Sequence, residues 1–192
     1  YPNNYPGCTA EVLDYSKRLE RVCAKLWEAS IVDAEPTIFA LQEVSRTWAP
    51  VIQSVFDSRG YYSVFSSYGK EKNGYMGVAI AIPRSMLDDS KSVQSVVLTS
   101  QHQWHGCEPI PIGGLAESAV IYDHNDKGTS QSPWYNASTR GNVLLMVPVV
   151  LAGGKQFTFA TYHVPCAYST PDVMVIHAAM AFQILERLPT PF

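Results

Sequence analysis

The stretch 141–163, GNVLLMVPVVLAGGKQFTFATYH, decides the fold. Two runs of strand-forming residues, 141–151 and 156–163, flank Gly153-Gly154, and a glycine pair supplies the positive backbone angles that a tight primed turn needs. The pattern predicts an antiparallel hairpin whose second strand ends at His163. That strand cannot pass through Pro165, and strands usually close on residues that turn the chain rather than on an imidazole. A histidine at the lip of a buried strand is therefore placed to meet a ligand.

On the N-terminal side, Val12, Tyr15, Leu19, Val22, Cys23 and Leu26 recur at helical spacing, and Lys17, Arg18, Glu20, Arg21, Lys25 and Glu28 fill the other face. This predicts an amphipathic helix. After Pro36, the apolar run 37–41 predicts a strand covered on both faces, which delivers Gln42 and Glu43 to its end. A helix over 47–56 follows, closed by Gly60. Strands are expected at 61–65, 78–82 and 93–98, with a polar loop over 66–77 that holds Lys70, Lys72 and Asn73. Periodicity is lost across 99–140, apart from a short strand at 119–122. Beyond Pro171, Val173, Ile176, His177, Met180, Ile184 and Leu185 predict a second amphipathic helix that stops before Pro189, with His177 as a core histidine. Helices mixed with strands and a hairpin indicate α/β or α+β architecture.

With 192 residues, 46% apolar and 16% charged, the chain suits one sizeable globular domain. A net charge of -3 excludes a global pull toward nucleic acid and leaves room only for a local basic patch. Cys8, Cys23, Cys107 and Cys166 are scattered without a C-x-x-C pair, which predicts separate thiols in a reducing, intracellular compartment. The longest apolar runs are too short or too interrupted to span a bilayer, so no membrane partner is expected. The start at Tyr1 without an initiator methionine predicts a piece of a longer protein.

Two strand-end residues stand out for their chemistry. Glu43 and His163 both terminate apolar strands and so are expected at one edge of a packed sheet. A rigidly held carboxylate suits Mg²⁺, which takes one or two carboxylates and keeps waters for a phosphate to displace. A neighbouring histidine can hydrogen-bond a phosphoryl oxygen. His102, His105, Cys107 and His124 match no established zinc spacing. Lys70, Lys72, Arg84 and Arg140 flank expected strand ends, where Arg140 is the strongest candidate for a phosphate.

The run Phe39-Ala40-Leu41-Gln42-Glu43-Val44 resembles the metal-ligand motif of the endonuclease/exonuclease/phosphatase (deoxyribonuclease I-like) superfamily, where a buried strand ends in Leu-Gln-Glu and the glutamate binds Mg²⁺. Thr161-Tyr162-His163 resembles its Thr-His motif, whose histidine contacts the scissile phosphate. Asn73-Gly74-Tyr75-Met76-Gly77-Val78-Ala79-Ile80 is similar to its glycine-led strand, and 140–149 takes the place of the strand before the histidine strand. The resemblance implies that 1–192 is a single partial domain, part of a four-layer α/β sandwich with two packed mixed β-sheets flanked by helices. It implies a Mg²⁺- or Mn²⁺-dependent phosphodiesterase or nuclease acting on RNA or DNA, within the deadenylase and 2'-phosphodiesterase branch. Glu43 would hold the metal, His163 would be catalytic, and Arg140 and Asn73 would bind substrate. The family's asparagine-bearing first strand, its Gly-Asp-x-Asn motif and its Ser-Asp-His motif have no counterpart here. A second expectation therefore stands beside the first: a catalytically degenerate member that serves as a structural or RNA-binding subunit of a larger assembly.

Overall fold

The computed structural model describes residues 7–29, 36–68, 70, 75–88, 91, 93–98, 133–189 and 191–192. The expected N-terminal helix is divided into α1 (Ala10–Leu13) and α2 (Tyr15–Ala29). The division falls at Asp14, whose Oδ1 accepts from the Lys17 amide at 3.0 Å and so caps α2. Strand β1 (Phe39–Val44) leads to α3 (Ala49–Ser58), then to β2 (Tyr61–Ser67) and β3 (Gly77–Pro83). A 3-10 turn at Arg84–Met86 precedes β4 (Gln94–Val97). A short helix, α4 (Pro133–Ser138), lies inside the region without periodicity. The hairpin β5 (Val143–Val150) and β6 (Gln156–Tyr162) and the helix α5 (Pro171–Glu186) complete the chain. The strand expected at 119–122 lies outside the described residues.

The strands form two three-stranded sheets, ordered β1-β3-β2 and β4-β5-β6. Every described pairing is antiparallel, where the resemblance implies mixed sheets. Strand alternation explains how the sheets stack, because successive side chains point to opposite faces. Val78, Ile80 and Ile82 of β3 meet Leu145, Val147 and Val149 of β5 in one buried cluster between the sheets. The intervening Ala79 and Ala81 face Leu26, Ile52 and Phe56 of α2 and α3. On the far side, Leu144 and Met146 of β5 pack against Val173, Ile176 and Met180 of α5. The result is helices, sheet, sheet, helices, which is the four-layer α/β sandwich that the sequence resemblance implies.

Two local details depart from the sequence reading, and a third is unusual for a central strand. β1 is not covered on both faces: it pairs only with β3 among the described strands, and Ala40, Gln42 and Glu43 are exposed. The hairpin turn is one residue wider than a two-residue primed turn, because Leu151 and Lys155 still bond (N to O, 2.8 Å). The expected positive angles are nonetheless present, with φ of 88° at Gly153 and 78° at Gly154. Pro148 sits inside the central strand β5, where a missing N–H normally breaks a ladder. Its carbonyl accepts from Asp88 at 3.4 Å, so its nitrogen faces the same side, past the point where β4 pairing ends at Gln94 and Met146.

Cys8, Cys23 and Cys166 are free thiols, as the spacing predicts, and Cys107 lies outside the described residues. Among the described residues, no helix is long and apolar enough to cross a membrane.

Candidate functional site

The site begins with a fault in β1. Leu41 pairs with Ala79 and Val44 with Gly77, so three steps along β1 match two along β3. The extra residue makes a β-bulge, a device that re-aims a side chain. Glu43 occupies it with φ 58°, a left-handed conformation that costs a non-glycine residue ~1–2 kcal/mol. Opposite the bulge, Gly77 lets β3 lie close to β2 on its other side. A Cβ on it would lie 2.2 Å from the Ser66 carbonyl oxygen and 2.6 Å from the Phe65 ring.

His163 follows β6 directly and is clamped from both sheets. Gln42 donates from Nε2 to the Tyr162 carbonyl at 3.2 Å, which ties the end of β6 to β1. The half-buried segment is held again by Asn142, which donates from Nδ2 to the His163 carbonyl at 2.7 Å. These two amides bring the histidine to Glu43: Nε2 lies 3.8 Å from Oε1. That distance is too long for a direct hydrogen bond. The Glu43 side chain is 58% exposed and that of His163 is 19% exposed, so the carboxylate faces solvent while the imidazole lines a wall.

Tyr68 fixes the imidazole. Its hydroxyl lies 2.5 Å from His163 Nδ1. Burial, then the Glu43 charge and Cys166, push the Tyr68 phenol up to about 12, so it keeps its proton and donates it to Nδ1. A neutral imidazole that accepts at Nδ1 carries its hydrogen on Nε2. The Nε2–H donor therefore points toward the Glu43 side.

Behind this wall is a second histidine. His177 is fully buried, with Nε2 3.0 Å from the Ala137 carbonyl and Nδ1 2.6 Å from the Tyr162 hydroxyl. A carbonyl only accepts, so Nε2 carries the hydrogen and Tyr162 donates to Nδ1. Burial chiefly pushes His177 down to about 4, and the nearby Arg140 charge adds to this. His177 is the satisfied core histidine expected from its helix face.

The structure thus brings Glu43 and His163 together. Arg140 stands at the entrance to β5, two residues before Asn142, and has no described contact with either. Its Nε is buried without an acceptor among the described residues. Asn73, Lys72, His102, His105, Cys107 and His124 lie outside the described residues, and Arg84 is paired with Asp57 at 3.1 Å. Sequence reasoning missed Tyr68 and Asn142. Tyr68 falls in the stretch 66–77 that reads as a polar loop, just past the end of β2, and its contact with His163 spans 95 residues. Asn142 carried one signal, an amide at the start of the apolar hairpin run, and the structure buries it.

No protein-family model matches the chain, and no curated protein matches it. Solved structures do match it. The structure of ANGEL2, a 2',3'-cyclic phosphatase, in complex with adenosine-2',3'-vanadate aligns with a TM-score of 0.64 and 17% identity. The alignment covers 96% of this chain and 44% of that one. A second ANGEL2 structure gives a TM-score of 0.63 at 16% identity, covering 96% and 43%. The chain shares the fold of that phosphatase. It spans less than half the length of the structures it matches.

Proposed function

We propose that this chain carries one wall of the active site of a phosphoester hydrolase acting on nucleic acid. The observation that carries the reading is the juxtaposition of Glu43 and His163 at 3.8 Å. A strained bulge aims one and two amide clamps hold the other, within a fold shared with a 2',3'-cyclic phosphatase solved with an adenosine vanadate ligand. Strained backbone is retained where function demands it.

In this reading, His163 donates its Nε2–H to a non-bridging phosphoryl oxygen, where charge develops as the phosphoester is attacked. Tyr68 holds the tautomer that makes this donor available. Glu43 is the metal ligand. One exposed carboxylate with few protein neighbours suits a hard cation that keeps most of its waters, and no group of three or more His, Cys, Asp or Glu lies together among the described residues. Mg²⁺ or Mn²⁺, when bound, supplies charge neutralisation on the phosphate. Arg140 is a substrate contact, supported by its buried, unfilled Nε donor. The role of Asn73 rests on the motif resemblance alone. The base for the attacking water belongs, by the same resemblance, to a motif that does not occur in this sequence.

The test is hydrolysis by the full-length protein of adenosine 2',3'-cyclic phosphate and of a short oligoadenylate, in Mg²⁺, Mn²⁺ and EDTA. Turnover of either substrate that EDTA abolishes is the expected result. A folded protein that turns over neither substrate with any cation would leave the catalytically degenerate reading in its place.

A further inference from the structure

The end of β1 that presents Glu43 also opens onto an aromatic and cationic surface that the hydrolytic pair does not use. Tyr75 lies two residues before Gly77, the partner of Val44, and is 38% exposed with φ 51°. A tyrosine in the left-handed region is unusual, and its ring carries the Arg46 guanidinium at 5.6 Å from the centroid. Two residues on from Arg46, Trp48 immediately precedes α3 and holds the Arg18 guanidinium at 6.0 Å from its ring. Tyr15, 57% exposed, lies 6.1 Å from the same indole. Arg18 and Arg46 are both exposed, and neither forms an ion pair among the described residues.

The contacts form two clusters joined by the two-residue step from Arg46 to Trp48: Tyr75 with Arg46, and Trp48 with both Arg18 and Tyr15. An arginine laid on a ring keeps an outer planar face for a base and N–H edges for phosphate oxygens. Single-stranded nucleic acid is bound by this combination, with stacking platforms for bases beside a positive track for the backbone. The chain's net charge of -3 gives no general attraction for a polyanion, so such attraction must be local.

The geometry points to this surface as a binding track for single-stranded oligonucleotide that leads the strand toward Glu43 and His163. It deepens the phosphoester reading by naming an extended single strand, rather than a mononucleotide alone, as the ligand of that site.

The test is fluorescence anisotropy of the full-length protein with a labelled ten-nucleotide oligoadenylate in EDTA, where nothing turns over. The probe is used as RNA, as DNA and as an abasic oligomer of equal charge. The Arg18→Ala/Arg46→Ala double variant should bind the RNA about tenfold more weakly, with a salt slope shallower by about 1.4 for two lost phosphate contacts. Tyr75→Gly removes a ring without backbone strain and should weaken the RNA several-fold, while the abasic oligomer should bind poorly to every form. RNA binding supports the track whether or not DNA binds equally, since stacking does not require the 2'-hydroxyl. Lys155→Ala, on the hairpin turn, should bind as the unaltered protein does. Binding is read in EDTA without turnover, so a failure of the hydrolytic reading would not register here. Three results would each overturn the proposal: unaltered affinity in the double variant, equal binding of the abasic oligomer, or equal binding of a poly-aspartate peptide.

Discussion

Acid should unfold this protein through His177, and the size of the effect follows from its surroundings. The imidazole is fully buried, and its neutral form satisfies both nitrogens, donating to Ala137 and accepting from Tyr162. A second proton would have to enter at Nδ1, against the Tyr162 hydrogen, in a fully buried site near the Arg140 charge. The folded protein therefore resists protonation down to about 4, whereas the unfolded chain takes the proton near pH 6.5. Below pH 6.5 the unfolded state binds more protons than the folded one, so stability falls as pH falls through this window. The gap corresponds to roughly 3 kcal/mol, lost between about pH 6.5 and pH 4. Urea unfolding at pH 7.5, 6.5, 5.5 and 4.5 measures it. His177→Gln supplies an amide donor for Ala137 and an oxygen acceptor for Tyr162 without a titrating group, and should flatten the profile by most of that amount. If the variant and the unaltered protein lose stability in parallel across the window, the reasoning is wrong.

Other outcomes follow from the same geometry. Glu43→Gly should raise the free energy of unfolding by ~1 kcal/mol, because glycine occupies φ 58° without penalty, and hydrolysis should be lost in the same variant. Gly77→Ala should cost at least ~2 kcal/mol, since its Cβ would press on the backbone oxygen of Ser66, a group with no rotamer to yield; thermal unfolding would register it. Met180→Ala, at a fully buried position on α5, should cost about 2–5 kcal/mol in denaturant unfolding. Tyr68→Phe should lower kcat and shift its pH profile, with little change in KM, because the ring stays and only the hold on the His163 tautomer goes.

Much of the sandwich is legible in the sequence because it is written in local patterns. Strand alternation in β3 and β5 sorts each side chain to the inter-sheet core or to the helix-facing side, and the spacing of Val173, Ile176 and Met180 names the buried stripe of α5. Glu43 and His163 can be found for the same reason, as breaks in apolar runs. Their mutual distance cannot, since it depends on a bulge at Glu43 and on contacts between residues far apart in the chain: 120 positions from Gln42 to Tyr162, and 21 from Asn142 to His163. Tyr68 escapes notice because it falls in a stretch that reads as a polar loop, where a tyrosine has no local oddity. The apolar run of β1 predicts cover on both faces because such a run looks alike on an edge and in a sheet centre. Only the pairing order, with β3 in the middle, distinguishes them.

The central claim is that Glu43 and His163 form one phosphate site. Its most direct test is kcat/KM of the full-length protein for phosphoester hydrolysis in the Glu43→Gln and His163→Asn variants, beside their melting temperatures. Each substitution should lower kcat/KM by roughly 10²–10³ while the melting temperature changes little, since Glu43 is exposed and neither side chain belongs to the core. Unaltered turnover in Glu43→Gln, in a folded protein, would contradict the account.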